Sequence, residues 1–343
     1  MRFQFYDAAL EDVPKLSVDG TVPNSIHFSH WEGNATPAEL RADTSTEIAL
    51  NLVGSPHPNQ FTQGIEVVTN NHFDTDGVLS VWTVLAGSRA LEFSEPLIAA
   101  AEAGDFSEFR NDNGVRASIV IQGADQAGAN NDTVSPLARQ LAGADYLDDA
   151  RCYDLVLPEV EDVLTQVDRY EPLWRDGWSQ IERAFDSFEA RNSQVREYLD
   201  ARLSLVTLAP EIFSPAGFNP KRHAAPFTAI SRYARGHIFL IASELAGGWS
   251  YRIDYPYYSW AETIVRPRIP RQDLTPVMEH LNELESSRGG SWQTDRTEMT
   301  SAVKFLGPEG LLASSNLAPD QVAEIVSAHL ARQTEGTAAA PGA

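Results

Sequence analysis

Three side chains that commonly bind divalent cations stand at alternate positions in one short segment. They are His72, Asp74 and Asp76, and Gly77 follows them directly. Alternate residues of an extended chain point to the same side, so the three side chains can converge on one ion. Carboxylates with one imidazole suit Mn²⁺ or Mg²⁺, and the imidazole also admits Zn²⁺. The spacing predicts a metal site, and the alternative is a polar turn that caps a helix.

The metal-binding segment lies between a predicted strand and a predicted helix. Ile65–Thr69 is short and rich in β-branched residues, which indicates a strand, and Val78–Leu85 is apolar and indicates a buried helix. Gly77 permits the turn that starts this helix, whose N-terminal dipole favours an anion beside the metal. Ser80, close to the start of the helix, is a candidate phosphate contact or a backbone cap.

The segment His72-x-Asp74-x-Asp76-Gly77-x-x-Ser80 resembles the first motif of the DHH phosphoesterase superfamily. In that superfamily the motif lies on a loop from a strand to a helix and binds Mn²⁺ ions that activate water against a phosphate ester. The resemblance implies that His72, Asp74 and Asp76 are metal ligands with catalytic roles. It therefore favours a hydrolase of phosphate esters or phosphodiesters.

The later motifs of the superfamily are matched only in part. Asp125 follows a predicted strand, Arg116–Gln122, and is the candidate for the further aspartate ligand that the resemblance implies. The superfamily's Asp-His-His triplet does not occur in this sequence. The alternative is thus a protein that binds a metal or a nucleotide without catalysis. The whole chain is also similar to a bacterial family of unknown function, which implies no activity.

A competing resemblance uses the same residues. Asp74-Thr-Asp76-Gly77 is similar to the first motif of haloacid-dehalogenase-type phosphatases, in which the first aspartate is the nucleophile. This alternative makes Asp74 the nucleophile and Asp76 the general acid and base. That chemistry normally uses a lysine between the acidic motifs, whereas no lysine lies between Lys15 and Lys221.

His30, Asp43 and Glu47 are further candidates for the same acidic pocket. His30 follows a predicted strand, Ser25–Ser29, and the other two are spaced i, i+4 on a helix whose predicted cap is Thr36. Neighbouring parallel strands end at the same edge of a sheet, so these side chains can reach the metal-binding segment. The alternative for the two acids is a solvated helix face.

Arg266, Arg268 and Arg271 follow a densely aromatic stretch, Trp249–Trp260. The guanidinium fork matches phosphate and carboxylate, and aromatic rings offer a stacking surface for a base or a sugar. The pattern predicts that the arginines hold the anionic end of a small substrate such as a nucleotide. In the alternative, the aromatic residues fill a core and the arginines pair with acids.

Charge and composition exclude several classes of partner. The 343 residues include 26 basic and 48 acidic ones, a net charge of −22, which disfavours nucleic acids and anionic membranes as partners. No apolar run could span a membrane, and Met1–Asp7 lacks a secretion signal, so a cytoplasmic location is predicted. The single cysteine, Cys152, has no evident activating partner and is expected to be structural.

The order of predicted elements indicates an α/β fold. Strands and helices alternate in the first part of the chain, which predicts a mostly parallel sheet with helices on both faces. Charged helices are predicted at Val156–Tyr170 and Leu173–Leu203, a stretch that could mediate a homodimer. Four strand-like pieces between Phe227 and Val265 predict a smaller α+β domain. The predicted divisions are 1–205, 220–332 and a disordered tail, 333–343.

Overall fold

The computed structural model describes residues 1–123, 148–212, 227–245, 247–286, 289–294 and 300–338. The chain forms two compact units, each with its own sheet. The first comprises Met1–Ser179 and Trp260–Arg268, and the second comprises Gln180–Ser259 and Ile269–Ala343. The predicted α/β class with a parallel first sheet is confirmed, while the boundaries predicted from the sequence stay a prediction. Among the described residues, no helix has the length and apolar character needed to cross a membrane.

The first unit contains a four-stranded sheet in which all neighbouring strands run parallel. Its strands are β1 Arg2–Phe3, β2 Lys15–Val18, β3 Ser25–Phe28 and β4 Val67–Thr69, in the spatial order β1-β4-β2-β3. Every residue of β2 and β4 is buried, because both faces of these strands are covered. The carboxyl ends of the strands therefore meet along one edge of the sheet.

Helices pack around this sheet, with α1 against α3, α3 against α4, and α4 against α5. The helices that begin in the first unit are α1 Ser45–Gly54, α2 Asn59–Thr62, α3 Thr75–Ala86, α4 Ser94–Asp105, α5 Asp112–Gln122, α6 Asp149–Val156, α7 Val160–Thr165 and α8 Glu171–Glu189.

Helix α1 begins later than the sequence predicted. Its cap is Thr44, whose hydroxyl accepts the N–H of Glu47 while the Glu47 carboxylate accepts the N–H of Thr44 at 3.0 Å. Thr36 precedes no helix, and its hydroxyl donates to the backbone oxygen of Ser29 at 2.7 Å. Both threonines are followed by a glutamate three residues later, so the capping pattern alone could not separate them.

Arg116–Gln122 is helical, and the prediction of a strand there is wrong. The segment belongs to α5, whose cap, Asn111, accepts a backbone N–H from the first turn at 2.8 Å. The buried residues of α5 recur with a helical period and do not alternate, so the β-branched run is one face of a helix. Asp125 lies outside the described residues.

The second unit contains a six-stranded mixed sheet in the order β5-β6-β7-β8-β10-β9. Strands β6 and β7 are parallel, and the other neighbours are antiparallel. The core includes the buried rings of Tyr251, Trp292 and Phe305. The strands are β5 Gln194–Tyr198, β6 Leu203–Leu208, β7 Ile238–Leu245, β8 Gly248–Asp254, β9 Ser291–Thr294 and β10 Ser301–Leu306, and the helices are α9 Phe227–Tyr233, α10 Thr275–Leu284 and α11 Pro319–Ala338.

Several predicted elements differ from this structure. The first predicted charged helix is divided into shorter pieces that include α7, and the second ends at Glu189, before β5. Of the four strand-like pieces predicted between Phe227 and Val265, the first forms α9, and the last is a 3₁₀ turn, Tyr257–Trp260, followed by irregular chain. Residues 333–338 continue α11, and residues 339–343 lie outside the described residues.

Candidate metal centre

Four ligand-type side chains meet at the carboxyl-terminal edge of the first sheet. Asp19 directly follows β2, His30 follows β3, Asp76 lies in the first turn of α3, and Asp105 is the last residue of α4. The Nε2 atom of His30 lies 3.0 Å from Asp105 Oδ2, 3.5 Å from Asp19 Oδ1 and 3.8 Å from Asp76 Oδ2. One ligand atom from each side chain lies within 4.8 Å of the others. We call these four residues the inner group.

A second set of ligands, the outer group, consists of Asp19, His72 and Asp74. His72 Nε2 lies 2.9 Å from Asp19 Oδ2 and 3.1 Å from Asp74 Oδ2. The two groups therefore share Asp19. The inner group is almost closed to solvent, whereas the side chains of His72 and Asp74 are 30% and 26% exposed. The outer group is the part of the centre that a small molecule can reach.

The turn after β2 holds Asp19 in place. Asp19 has a left-handed backbone (φ 62°), which costs energy in most residues but is tolerated by aspartate. A Cβ atom on Gly20 would lie 2.1 Å from Asn71 Oδ1 and 2.3 Å from Asn70 Oδ1, so only glycine fits. Asn70 Oδ1 also accepts the N–H of Gly20 at 3.1 Å. The loops after β2 and β4 thus fix each other, and Asp19 faces both groups.

His30 is oriented by a backbone carbonyl. Its Nδ1 lies 2.6 Å from the backbone oxygen of Asp43. A carbonyl can only accept, so Nδ1 carries a hydrogen and Nε2 faces the inner group. Histidines that bind metals are commonly oriented by such a bond from their other nitrogen. The rings of Trp260 and Phe106 pack on the imidazole at centroid distances of 5.0 and 5.7 Å.

The two carboxylates of the predicted motif belong to different groups, and each also holds a helix. Asp76 Oδ2 and Oδ1 accept the N–H groups of Ser45 and Thr46, at 2.7 and 2.8 Å, at the start of α1. Asp74 caps α3 and accepts the N–H of Gly77 at 2.7 Å. The structure therefore does not place the three motif side chains around a single ion, because Asp76 lies in the inner group.

Negative charge exceeds positive charge in the inner group, where three carboxylates face one imidazole. Burial, followed by the charges of Asp105 and Asp19, raises the pKa of Asp76 well above its ordinary value. Burial also raises the pKa of Asp105 to about 6, although the contact with His30 opposes this. Burial lowers the pKa of His30, but its interactions with Asp105, Asp76 and Asp19 together outweigh burial and raise that pKa to about 10. A divalent cation would compensate this excess of buried negative charge.

Asp19 and His72 stabilise each other's charged form. Burial opposes ionisation of Asp19, but the close contact with His72 and the positive charge of that imidazole lower the Asp19 pKa to about 2. Burial likewise opposes the charged imidazole of His72, and the contacts with Asp19 and Asp74 raise its pKa to about 11. An imidazole must lose its extra proton before it binds a metal, so a cation would replace a proton here.

Three buried atoms at the centre have contacts but no hydrogen bonds. Asp19 Oδ2, His30 Nε2 and Asp105 Oδ2 make no bond of acceptable geometry within the described part of the chain. Buried polar atoms normally have such a partner. These carboxylate oxygens and this imidazole nitrogen lie close together, but their geometry does not allow hydrogen bonds. Such a set of atoms can bind a divalent cation. The residues present therefore fit a metal.

Arg266, predicted from the sequence to hold substrate, is surrounded by acids. Its guanidinium lies 2.8 Å from Asp43, 2.8 Å from Glu102 and 2.6 Å from Glu108, and it stacks on Phe106 at 4.8 Å. Because three carboxylates engage this side chain, it fixes the segment 260–268 within the first unit.

Asp43 and Glu47, the other predicted pocket residues, have local partners. The Asp43 carboxylate accepts the N–H groups of Ile264, Val265 and Arg266. Burial acts to raise the pKa of Asp43, but these amide bonds outweigh it and lower that pKa. Glu47 completes the capping box of α1.

The remaining predicted contacts lie in three different settings. Arg268 is exposed, and the guanidinium of Arg271 lies 4.1 Å from the ring of Tyr255 in the second unit. Ser80 is buried, and its hydroxyl donates to the backbone oxygen of Gly77 at 2.9 Å.

Sequence reasoning missed Asp19 and Asp105. Asp19 follows a strand of only four residues, and the one available signal was Asp-Gly directly after the apolar alternation in Lys15–Val18. Asp105 is the last residue of α4, and its position gives no local signal in the sequence.

Comparison with known proteins identifies a family whose function is unknown. No curated protein matches this chain. Among solved structures, the chain is similar to the pGpG-specific phosphodiesterase PggH from Vibrio cholerae, with 11% identity, 80% of each chain covered and a TM-score of 0.36. A family model matches residues 1–340, and the chain belongs to that family, described as a family of unknown function (DUF6687).

Proposed function

We propose that this chain is a divalent-metal-dependent hydrolase of phosphate esters or phosphodiesters. The observation that carries the proposal is that Asp19 belongs to two ligand groups, one buried and one accessible to solvent. Enzymes that hydrolyse phosphate esters often use pairs of cations held by shared carboxylates. The resemblance of the segment 72–80 to the first DHH motif supports the same class of reaction.

Each group has a distinct task in this proposal. Asp19, His30, Asp76 and Asp105 would hold a cation in a nearly closed site, while His72 and Asp74 with Asp19 would hold one where substrate can enter. When bound, such cations activate water and neutralise charge on a phosphoryl group.

Rigid ligands are an advantage for this chemistry. The main chain of Asp43 orients His30, the start of α1 orients Asp76, and the cap of α3 orients Asp74. Side chains held by their own hydrogen bonds need little reorganisation when charge develops in the transition state. The chain's residues therefore supply a preorganised acidic edge.

The haloacid-dehalogenase alternative receives less support from the geometry. Both oxygens of Asp74 are engaged, one by the cap of α3 and the other by His72. Lys15 lies at the opposite edge of the sheet, where its ammonium donates to the backbone oxygens of Glu11, Val13 and Asn24. It cannot act as the lysine beside that nucleophile.

The test is hydrolysis of bis(p-nitrophenyl) phosphate and p-nitrophenyl phosphate with Mn²⁺, with Mg²⁺ and with EDTA. We expect turnover that requires a cation and falls at least about 100-fold in Asp19→Asn and His72→Ala. Asp168→Asn is the matched control, because its side chain is 88% exposed and belongs to neither group. Cation binding without turnover of either ester would support the non-catalytic alternative.

A further inference from the structure

Two tryptophans border the accessible side of the metal centre. The ring of Trp31 lies 5.6 Å from that of His72 and 4.8 Å from that of Trp260, and Trp260 lies 5.0 Å from His30. Aromatic rings therefore run without interruption from the histidine of the outer group to that of the inner group. Both indoles are half-buried, so each retains accessible surface.

The two tryptophans are held by a shared network within the first unit. The Glu262 carboxylate accepts the N–H of Gly33 at 3.2 Å and a side-chain N–H of Asn34 at 2.9 Å. The N–H of Glu262 donates to the backbone oxygen of His30 at 2.7 Å. The loop that carries Trp31 is thus hydrogen-bonded to the segment that carries Trp260. These bonds hold the two indole rings in a fixed arrangement.

The two indoles offer apolar rings beside the outer group. Arg266, one of the three arginines predicted to hold the anionic end of the substrate, is engaged by three carboxylates. The indole Nε1 of Trp31 is buried and makes no hydrogen bond to any described residue, so it is not part of the accessible surface. A buried indole N–H usually has an acceptor. The aromatic rings beside the outer group therefore favour a planar ring of the ligand over a second phosphate.

We propose that Trp31 and Trp260 form a stacking surface for a ring of the substrate, which is then a phosphate ester carrying a nucleobase. The inference rests on the proposed function, because the outer group sets where the phosphate lies. Stacking of a base on an aromatic side chain strengthens binding about 5-fold to 150-fold and tolerates different bases.

The test compares two ligands that differ only in the base. Binding of adenosine 5′-monophosphate and of ribose 5-phosphate is measured by calorimetry in the presence of Mg²⁺. We expect the nucleotide to bind about 5-fold to 150-fold more tightly and to quench tryptophan fluorescence. In Trp31→Ala and Trp260→Ala, the ratio of the affinity for the nucleotide to the affinity for ribose 5-phosphate should fall close to one. Trp31→Phe keeps an aromatic ring and should retain most of the difference in affinity. Trp82→Phe, whose ring packs on that of Phe93 at 5.6 Å, is the control.

Equal affinity for the two ligands, no binding of either, or a ratio unchanged in both alanine variants would overturn the stacking surface. The retained ratio in Trp31→Phe separates loss of the ring from loss of the fold. Turnover of bis(p-nitrophenyl) phosphate by the wild-type chain reports separately on the proposed function. If the ester is hydrolysed but the two ligands bind with equal affinity, only the stacking surface is contradicted. If the nucleotide binds more tightly but no ester is hydrolysed, only the proposed hydrolase activity is contradicted.

Discussion

The imidazole of His30 donates its Nδ1–H to the backbone oxygen of Asp43 at 2.6 Å, which leaves Nε2 facing the acids of the inner group. The side chain of Asp43 makes a separate set of bonds, to Arg266 and to the amides of the segment 260–268. One residue therefore orients a candidate ligand through its main chain and fixes that segment through its carboxylate.

The stability of the metal-free protein should fall as the pH rises. His30 and His72 have folded-state pKa values of about 10 and 11, above the ordinary value of 6.5. Such groups stabilise the fold fully below the unfolded pKa, and this contribution is lost as the pH rises through the folded values. We expect the urea midpoint in EDTA to decrease between about pH 6.5 and pH 10. A midpoint that rises over this range would contradict the assigned ion pairs.

Cation binding should show the opposite pH dependence. Because each histidine loses a proton when it binds a metal, affinity should increase with pH in the range below the two pKa values. Calorimetry at pH 7 in two buffers with different ionisation enthalpies should show release of about one or two protons. Binding with no proton release would mean that the histidines are not ligands.

Substitutions of Asp74 should separate its role as a helix cap from its role as a ligand. Asparagine caps a helix about as well as aspartate, so Asp74→Asn should change the free energy of unfolding of the metal-free protein by less than about 0.5 kcal/mol. Asp74→Ala removes the acceptor for the N–H of Gly77 and should cost about 1 kcal/mol. Both variants should lose the outer cation. An outer site that survives in Asp74→Asn would exclude Asp74 as a ligand.

The tight turn at Gly20 should affect cation binding although Gly20 is not a ligand. An alanine Cβ would overlap the amide oxygens of Asn70 and Asn71, so the turn that carries Asp19 must move. We expect Gly20→Ala to weaken binding at both groups at least about 10-fold, since Asp19 is shared. Gly54→Ala, at the end of α1, is the control, because the nearest atom to its Cβ would be 3.4 Å away. Wild-type affinity in Gly20→Ala would show that Asp19 does not need this turn.

Arg266 should be needed for stability. Arg266→Met leaves Asp43, Glu102 and Glu108 without their common partner and should lower the free energy of unfolding by about 3 kcal/mol. Arg268→Met, at an exposed position, should change it by less than about 0.5 kcal/mol. If Arg266→Met instead raised KM and left stability unchanged, the side chain would be a substrate anchor.

Sequence reasoning reached the parts of this centre that are local in the chain. His72, Asp74 and Asp76 could be found because their spacing, the strand before them and the helix after them are all visible within about 20 residues. Their division between two groups depends on Asp19 and Asp105, which come from other elements and have no distinctive neighbours. Local pattern cannot show which distant residues a fold brings together.

The other differences between the sequence-based predictions and the structure, at Arg266 and at Arg116–Gln122, also arise because local patterns do not show distant contacts. Arg266 pairs with Asp43 across 223 positions of sequence, and no pattern near either residue shows the contact. The choice of Asp125 depended on a strand at Arg116–Gln122 that is part of α5, because a β-branched run can form one face of a buried helix.

Metal content is the most direct test of two ligand groups that share one aspartate. Metal is removed from the purified chain with EDTA, and the chain is then dialysed against Mn²⁺. The number of metal ions per chain is measured by inductively coupled plasma mass spectrometry. We expect about two ions per wild-type chain, about one in His72→Ala and almost none in Asp19→Asn, with Asp168→Asn unchanged. No bound metal in the wild-type chain, or full occupancy in Asp19→Asn, would contradict a shared two-cation centre.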